Sequence, residues 1–180
     1  MNRSKRKHTT TGKCRCSRCE AIAAGKTPAE ADADYRKWEQ ANMQNHGWII
    51  HFVAQGDESS PTGFNAHTHG LQQNYDHADF QVVIPLPQQV VHTIMITLAD
   101  RVKAAERFQA GQTVADVIEG GGRLTGQELL VKLVDATEGG RPVLRVILPD
   151  PNGKLDLGEI NAQYARQYAD LAHEKAPPPS

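Results

Sequence analysis

Three histidines, a carboxylate and a glycine fall close together in the middle of the chain, in Phe64–Asn65–Ala66–His67–Thr68–His69–Gly70–Leu71 and the following His77–Ala78–Asp79. In a strand, alternate side chains share a face, so His67 and His69 point the same way. Two neutral imidazoles on one face are a common way to hold a divalent metal. His77 and Asp79, from the loop that follows, are candidates for a third and fourth ligand, with His51 on a neighbouring strand as a substitute. With an open coordination position, such a site activates water for hydrolysis. Without a metal, His67 or His69 would serve as general acid or base on a phosphate or acyl substrate. A hydrogen-bonded histidine pocket that holds no metal is the plain alternative.

A second group of possible ligands lies in Cys14–Arg15–Cys16–Ser17–Arg18–Cys19. Three cysteines this close cannot form an ordinary disulfide framework. Zinc thiolate chemistry suits them better, since nearby Lys and Arg favour the thiolate, and His8 is the nearest fourth ligand. Reduced surface thiols, or a redox-sensing cluster, are the other readings. Two further motifs fail on inspection. Gly120–Gly121–Gly122–Arg123 lacks the Gly-Lys-Ser/Thr ending of a phosphate loop and reads as a turn. Asp150, Asn152, Asp156 and Glu159 are spaced like calcium-loop ligands around Gly153, but Leu148 takes the first position, so a tight turn is expected.

The elements that must position these residues follow from periodicity and punctuation. Thr27–Pro28–Ala29–Glu30 combines an N-cap, a Pro at the first helical position and a reciprocal Glu; it starts a helix that Gly47 ends. Ala31, Tyr35 and Trp38 form its buried face. Strands are expected at 48–53, 64–69 and 80–85. Pro87 opens a helix with Val90, Val91, Ile94, Met95, Leu98 and Val102 at helical period, running to Gly111. Residues 113–118 add one or two helical turns, strands follow at 129–134 and 143–148 joined as a hairpin by the seven residues 136–142 with Gly139–Gly140, and a last helix runs from Gly158 through Ile160, Tyr164, Tyr168 and Leu171.

The 180 residues suffice for one domain with a real core, and a mean hydropathy of −0.53 fits a soluble protein. No apolar run reaches the ~20 residues of a membrane span, and the N-terminus lacks the apolar core of a secretory signal, so a reducing cytoplasm is expected. Residues 1–19 hold Arg3, Lys5, Arg6, Lys7, Lys13, Arg15 and Arg18 and no acid, leaving an acidic remainder in a chain of net charge −1. A basic arm on an acidic body can attract nucleic acid or an acidic protein, or simply be solvated. The expected organisation is a basic, cysteine-bearing arm (1–26), a single α+β domain with a mainly antiparallel sheet backed by helices (27–173), and a short tail (174–180). An open edge strand in so small a sheet would allow a homodimer.

From His46–Gly47–Trp48 to about Leu155 the chain resembles the bacterial domain of unknown function numbered 4262. The resemblance rests on His46–Gly47–Trp48 before a strand, His67–Thr68–His69–Gly70–Leu71, and His77–Ala78–Asp79–Phe80 running into Val82–Val83–Ile84–Pro85–Leu86–Pro87. It continues in the helix before Gly111 and in Leu144–Arg145–Val146–Ile147–Leu148–Pro149–Asp150. Cysteines near the N-terminus also fit. The resemblance implies a fold and domain limits, and no mechanism.

Two functions of different class are therefore expected. The first is a metal-binding, hydrolytic domain using zinc or another divalent ion at His67, His69, His77 and Asp79. The second is a non-catalytic nucleic-acid- or protein-binding module using a zinc-held arm of His8, Cys14, Cys16 and Cys19.

Overall fold

The computed structural model describes residues 17–54, 62–118, 123–124, 127–169 and 171. The chain falls into two compact units, Met1–Asn42 and Met43–Ser180. In the first, α1 (Ser17–Ala23) is followed by α2 (Pro28–His46), whose last turn belongs to the second unit. The expected capping box is present: the Thr27 amide donates to Glu30 Oε2 at 2.8 Å and the Glu30 amide to Thr27 Oγ1 at 3.3 Å. The expected apolar face of α2 is narrower than its spacing suggested. Ala31 is buried, but Trp38 is 49% exposed and stacks on half-buried Tyr35. Charged neighbours leave no broad apolar stripe, so burial stops at the alanine.

The second unit is a six-stranded sheet in the order β1 (Ile49–Ala54), β2 (Phe64–His69), β3 (Asp79–Val82), β8 (Arg141–Ile147), β7 (Val131–Glu138), β4 (Thr113–Val114). Among the described residues only β3 and β8 pair in parallel, so the chain is α+β with a mainly antiparallel sheet. A short helix α3 (Leu71–Tyr75) follows β2, a long α4 (Gln88–Lys103) follows β3, and β5 (Arg123–Leu124) and β6 (Gln127–Glu128) form a separate two-stranded ribbon. The chain closes with α5 (Ala162–Ala165) and a single 3₁₀ turn, Arg166–Tyr168.

The sheet has two unlike faces. On one, Ala66, Phe80, Val82, Leu133, Leu144 and Val146 pack in a single cluster with Val91, Ile94, Met95, Leu98, Ala99 and Val102 of α4. The helical period of α4 thus meets the strand period of the sheet, and each large side chain so buried contributes about 1.5–3 kcal/mol. On the other face Asn65, His67, Gln81 and Arg145 are all at most 3% exposed, although polar. Residues 160–169 cover part of this face: Arg145 Nη1 donates to the Gln167 carbonyl, and the Gln167 side chain bonds both the amide and the carbonyl of Leu148.

Three expected elements differ. Helix α4 stops at Lys103, well before Gly111, because Ala104–Glu106 form a Schellman turn. The Ala105 amide donates to the Val102 carbonyl and the Glu106 amide to the Arg101 carbonyl, each at 2.9 Å, with Ala105 at φ +72°. Arg101 then grips Glu106 with two hydrogen bonds of 2.7 Å, and lies 5.0 Å over Phe108. Residues 113–114 form strand β4 against Val131–Lys132 instead of helical turns, since Val114 gains burial at the sheet edge. The last helix shrinks to α5, whose start is set by Asn161, its Oδ1 accepting from the amides of Gln163 and Tyr164. The turn expected at Asp150–Gly153 is present, with Asp150 accepting from the amides of Asn152, Lys154 and Asn161. The triple glycine at 120–122 lies outside the described residues.

Candidate functional site

Strand β2 carries the site, and its register with β1 completes it. His67 sits directly opposite His51, so the alternation that puts His67 and His69 on one face brings His51 to the same face. The ring centroids are 5.5 Å (His51–His67), 4.4 Å (His51–His69) and 4.7 Å (His67–His69) apart. One nitrogen from each ring lies within 4.8 Å of the others. The strand can end directly after His69 because residue 70 is glycine: it holds φ +109°, and a Cβ there would stand 2.5 Å from the Gly47 carbonyl oxygen.

The cluster is wired by hydrogen bonds that run in one direction. Arg141 is donor-only and meets both ring nitrogens of His69, its Nη1 at 2.6 Å from Nδ1 and its Nη2 at 3.4 Å from Nε2; the much shorter contact makes Nδ1 the acceptor and places the His69 proton on Nε2. His69 Nε2–H then faces His67 Nε2 at 3.0 Å, and His67 Nδ1–H donates to Asn65 Oδ1 at 3.2 Å. Asn65 Oδ1 accepts a second bond from Gln81 Nε2, and Gln81 Oε1 accepts from Arg145 Nε at 2.9 Å. His67, Gln81 and Arg145 are consecutive cross-strand neighbours, so the sheet itself builds this support. Such outer partners fix ring orientation and tautomer, as is usual behind metal-binding histidines. Burial, aided by the nearby His51, His67 and Arg141, pushes His69 down to about 3, so its imidazole is neutral at pH 7.

The structure does not bring the other expected ligands to this cluster. His77 bridges two loops instead: its Nδ1–H donates to the Ala78 carbonyl at 2.7 Å, and its Nε2 accepts the Phe108 amide at 3.0 Å. Both nitrogens are engaged, and burial pushes His77 below its usual range. The Asp79 carboxylate accepts from Thr68 Oγ1 at 2.9 Å and from the Leu71 amide at 3.1 Å, tying β2 to the start of α3. Burial pushes Asp79 up, against these hydrogen bonds. His8, Cys14 and Cys16 lie outside the described residues; Cys19 falls in α1, with its side chain outside what is described.

Two charged residues at the site were not singled out by the sequence. Glu138 and Arg141 flank the Gly139–Gly140 turn between β7 and β8, both glycines at positive φ (+57° and +79°), as a two-residue hairpin turn requires. Glu138 Oε2 pairs with Arg141 Nη2 at 2.5 Å, and Glu138 Oε1 stands 3.7 Å from His67 Nε2. They lie about 70 residues from the histidines in sequence, so no local spacing signals the contact.

Residues 42–156, well over half of the chain, match the domain of unknown function DUF4262. The chain belongs to this family. The DUF4262 match takes in every strand of the six-stranded sheet, and with it His51, His67, His69, Glu138 and Arg141. No curated protein and no solved structure matches the chain. Among the described residues no helix is long and apolar enough to cross a membrane.

Proposed function

We propose that the domain binds one divalent metal ion through His51, His67 and His69 and uses it in a hydrolytic reaction. The observation that carries this reading is the convergence of three imidazoles from two paired strands, with ligand nitrogens within 4.8 Å. Tetrahedral zinc with metal–nitrogen distances of ~2.0–2.1 Å asks for nitrogens roughly 3.3 Å apart, so the rings would close in on a bound ion from the 4.8 Å within which they now lie. The neutral state of His69 suits ligation, because no imidazolium proton has to be released before a ring nitrogen binds. Nitrogen ligands alone favour zinc or a similar transition metal over calcium or magnesium. A bound ion with an open position would lower the pKa of water for attack on an acyl or phosphoryl centre. The protein's own part is to hold the rings: Asn65, Gln81 and Arg145 fix His67, and Glu138 supplies a carboxylate at the rim that can accept a proton from water.

Elemental analysis of a Cys14/Cys16/Cys19→Ser background tests this without interference from the arm. One equivalent of zinc or a similar metal is expected there, lost in both His51→Ala and His67→Ala/His69→Ala. Absence of metal from the background protein, or its retention in the histidine variants, would overturn the reading.

A further inference from the structure

The arginine at the mouth of the cluster conflicts with metal ligation as it is placed, and the conflict has one resolution. If His69 ligates through Nδ1, the ion needs the position held by Arg141 Nη1, 2.6 Å away. If His69 ligates through Nε2, its proton moves to Nδ1 and faces the Arg141 Nη1–H, donor against donor, while Arg141 Nη2 stands 3.4 Å from the ligating nitrogen. Either way Arg141 must leave His69. It is able to leave: its side chain is 45% exposed, it follows a glycine turn, and Glu138 can keep its hydrogen bond to Nη2 as both guanidinium nitrogens turn away from the His69 ring.

We propose that Arg141 is the anion-binding residue of this site, turned from His69 towards an oxyanion of the substrate when His69 takes a metal. The inference rests on the metal-binding reading above. Its chemistry follows from charge and shape. Neutral imidazoles add no charge, so a divalent ion with Arg141 and Glu138 leaves the site with a net positive charge that draws anions. The guanidinium is a planar fork with five N–H donors, more than the two side chains it meets, and it matches two oxygens of a phosphate or carboxylate. The substrate class is therefore a phosphate ester or a carboxylate-bearing compound whose anionic group sits beside the hydrolysed bond. Anion and metal should also help each other, since both require Arg141 off His69.

Calorimetric titration of the full-length triple-Ser protein, zinc-loaded or chelator-treated, with inorganic phosphate and separately with acetate, tests this. One of the two anions should bind the zinc-loaded protein at least about tenfold more tightly than the treated one, which names the oxyanion. Arg141→Gln should weaken that binding by about ten- to a hundredfold, the loss of a charge-assisted pair, while keeping one zinc per chain with equal or higher zinc affinity. Arg141→Lys should recover part of the anion affinity, as a charge without the fork. Anion binding unaffected by zinc or by Arg141→Gln, or zinc affinity that falls tenfold in Arg141→Gln, would overturn this inference and leave the metal centre standing. A protein that takes up no zinc would overturn both.

Discussion

Acid should destabilise this domain through His69, and the size of the effect can be worked out. The folded protein holds His69 down at about 3, whereas an unfolded chain titrates it near its ordinary ~6.5. Between those values the unfolded state binds the extra proton, so stability rises with pH there. The contribution is fully present above pH ~6.5 and is lost as pH falls from ~6.5 towards ~3. From pH 7.5 to 5.0, protonation of the unfolded histidine alone favours unfolding by about 2 kcal/mol. Partial exposure of His69 makes the screened value about 1–2 kcal/mol. His77, also pushed down by burial, adds in the same direction. Asp79, pushed up, acts in the opposite sense, and only in the carboxylate range. The assay is urea unfolding at both pH values with chelator present, followed by the fluorescence of buried Trp48, for the wild type and His69→Gln. The quantity compared is the loss between the two pH values, which should be about 1–2 kcal/mol smaller in His69→Gln. Equal losses in both proteins, or a wild type more stable at pH 5.0, would refute the reasoning.

Two other substitutions test the framework around the site. His77→Ala should lower stability by about 1–3 kcal/mol, because the buried Phe108 amide loses its acceptor. Its metal content should equal that of the parent; loss of metal in a folded His77→Ala protein would return His77 to the ligand set. Ala105→Gly should raise stability by about 0.5–1 kcal/mol in the same urea assay, since an exposed alanine at φ +72° occupies a position that glycine takes without strain. Destabilisation by Ala105→Gly would mean that the Schellman turn is not the conformation in solution.

Much of this protein could be read without coordinates, where the signal was local. The reciprocal Thr27–Glu30 cap, strand β2 from Phe64 to His69, the α4 stripe from Val91 to Val102 and the His67/His69 pair on one face all depend on residues within a turn or two of each other. Such patterns follow from backbone period and capping chemistry. What failed was also local evidence, outweighed by distant partners. Residues 113–118 read as helical turns, but Val114 pairs with Val131, and Gly111 looks like a helix stop although Ala105 is the residue that turns the chain.

The site divides in the same way. Composition and spacing determined that two imidazoles would share a strand face. Only the tertiary structure decided that His51 would complete them, through the β1–β2 register, and that His77 and Asp79 would instead tie loops together. It alone brought Glu138 and Arg141 to the rim from the far hairpin, and stacked Gln81 and Arg145 behind His67 across strand pairs. The physical reason is that a side chain's face is a property of its own strand, whereas its partners depend on register and strand order. Those are set by burial of the opposite, apolar face under α4, where the chemistry-bearing residues have no part.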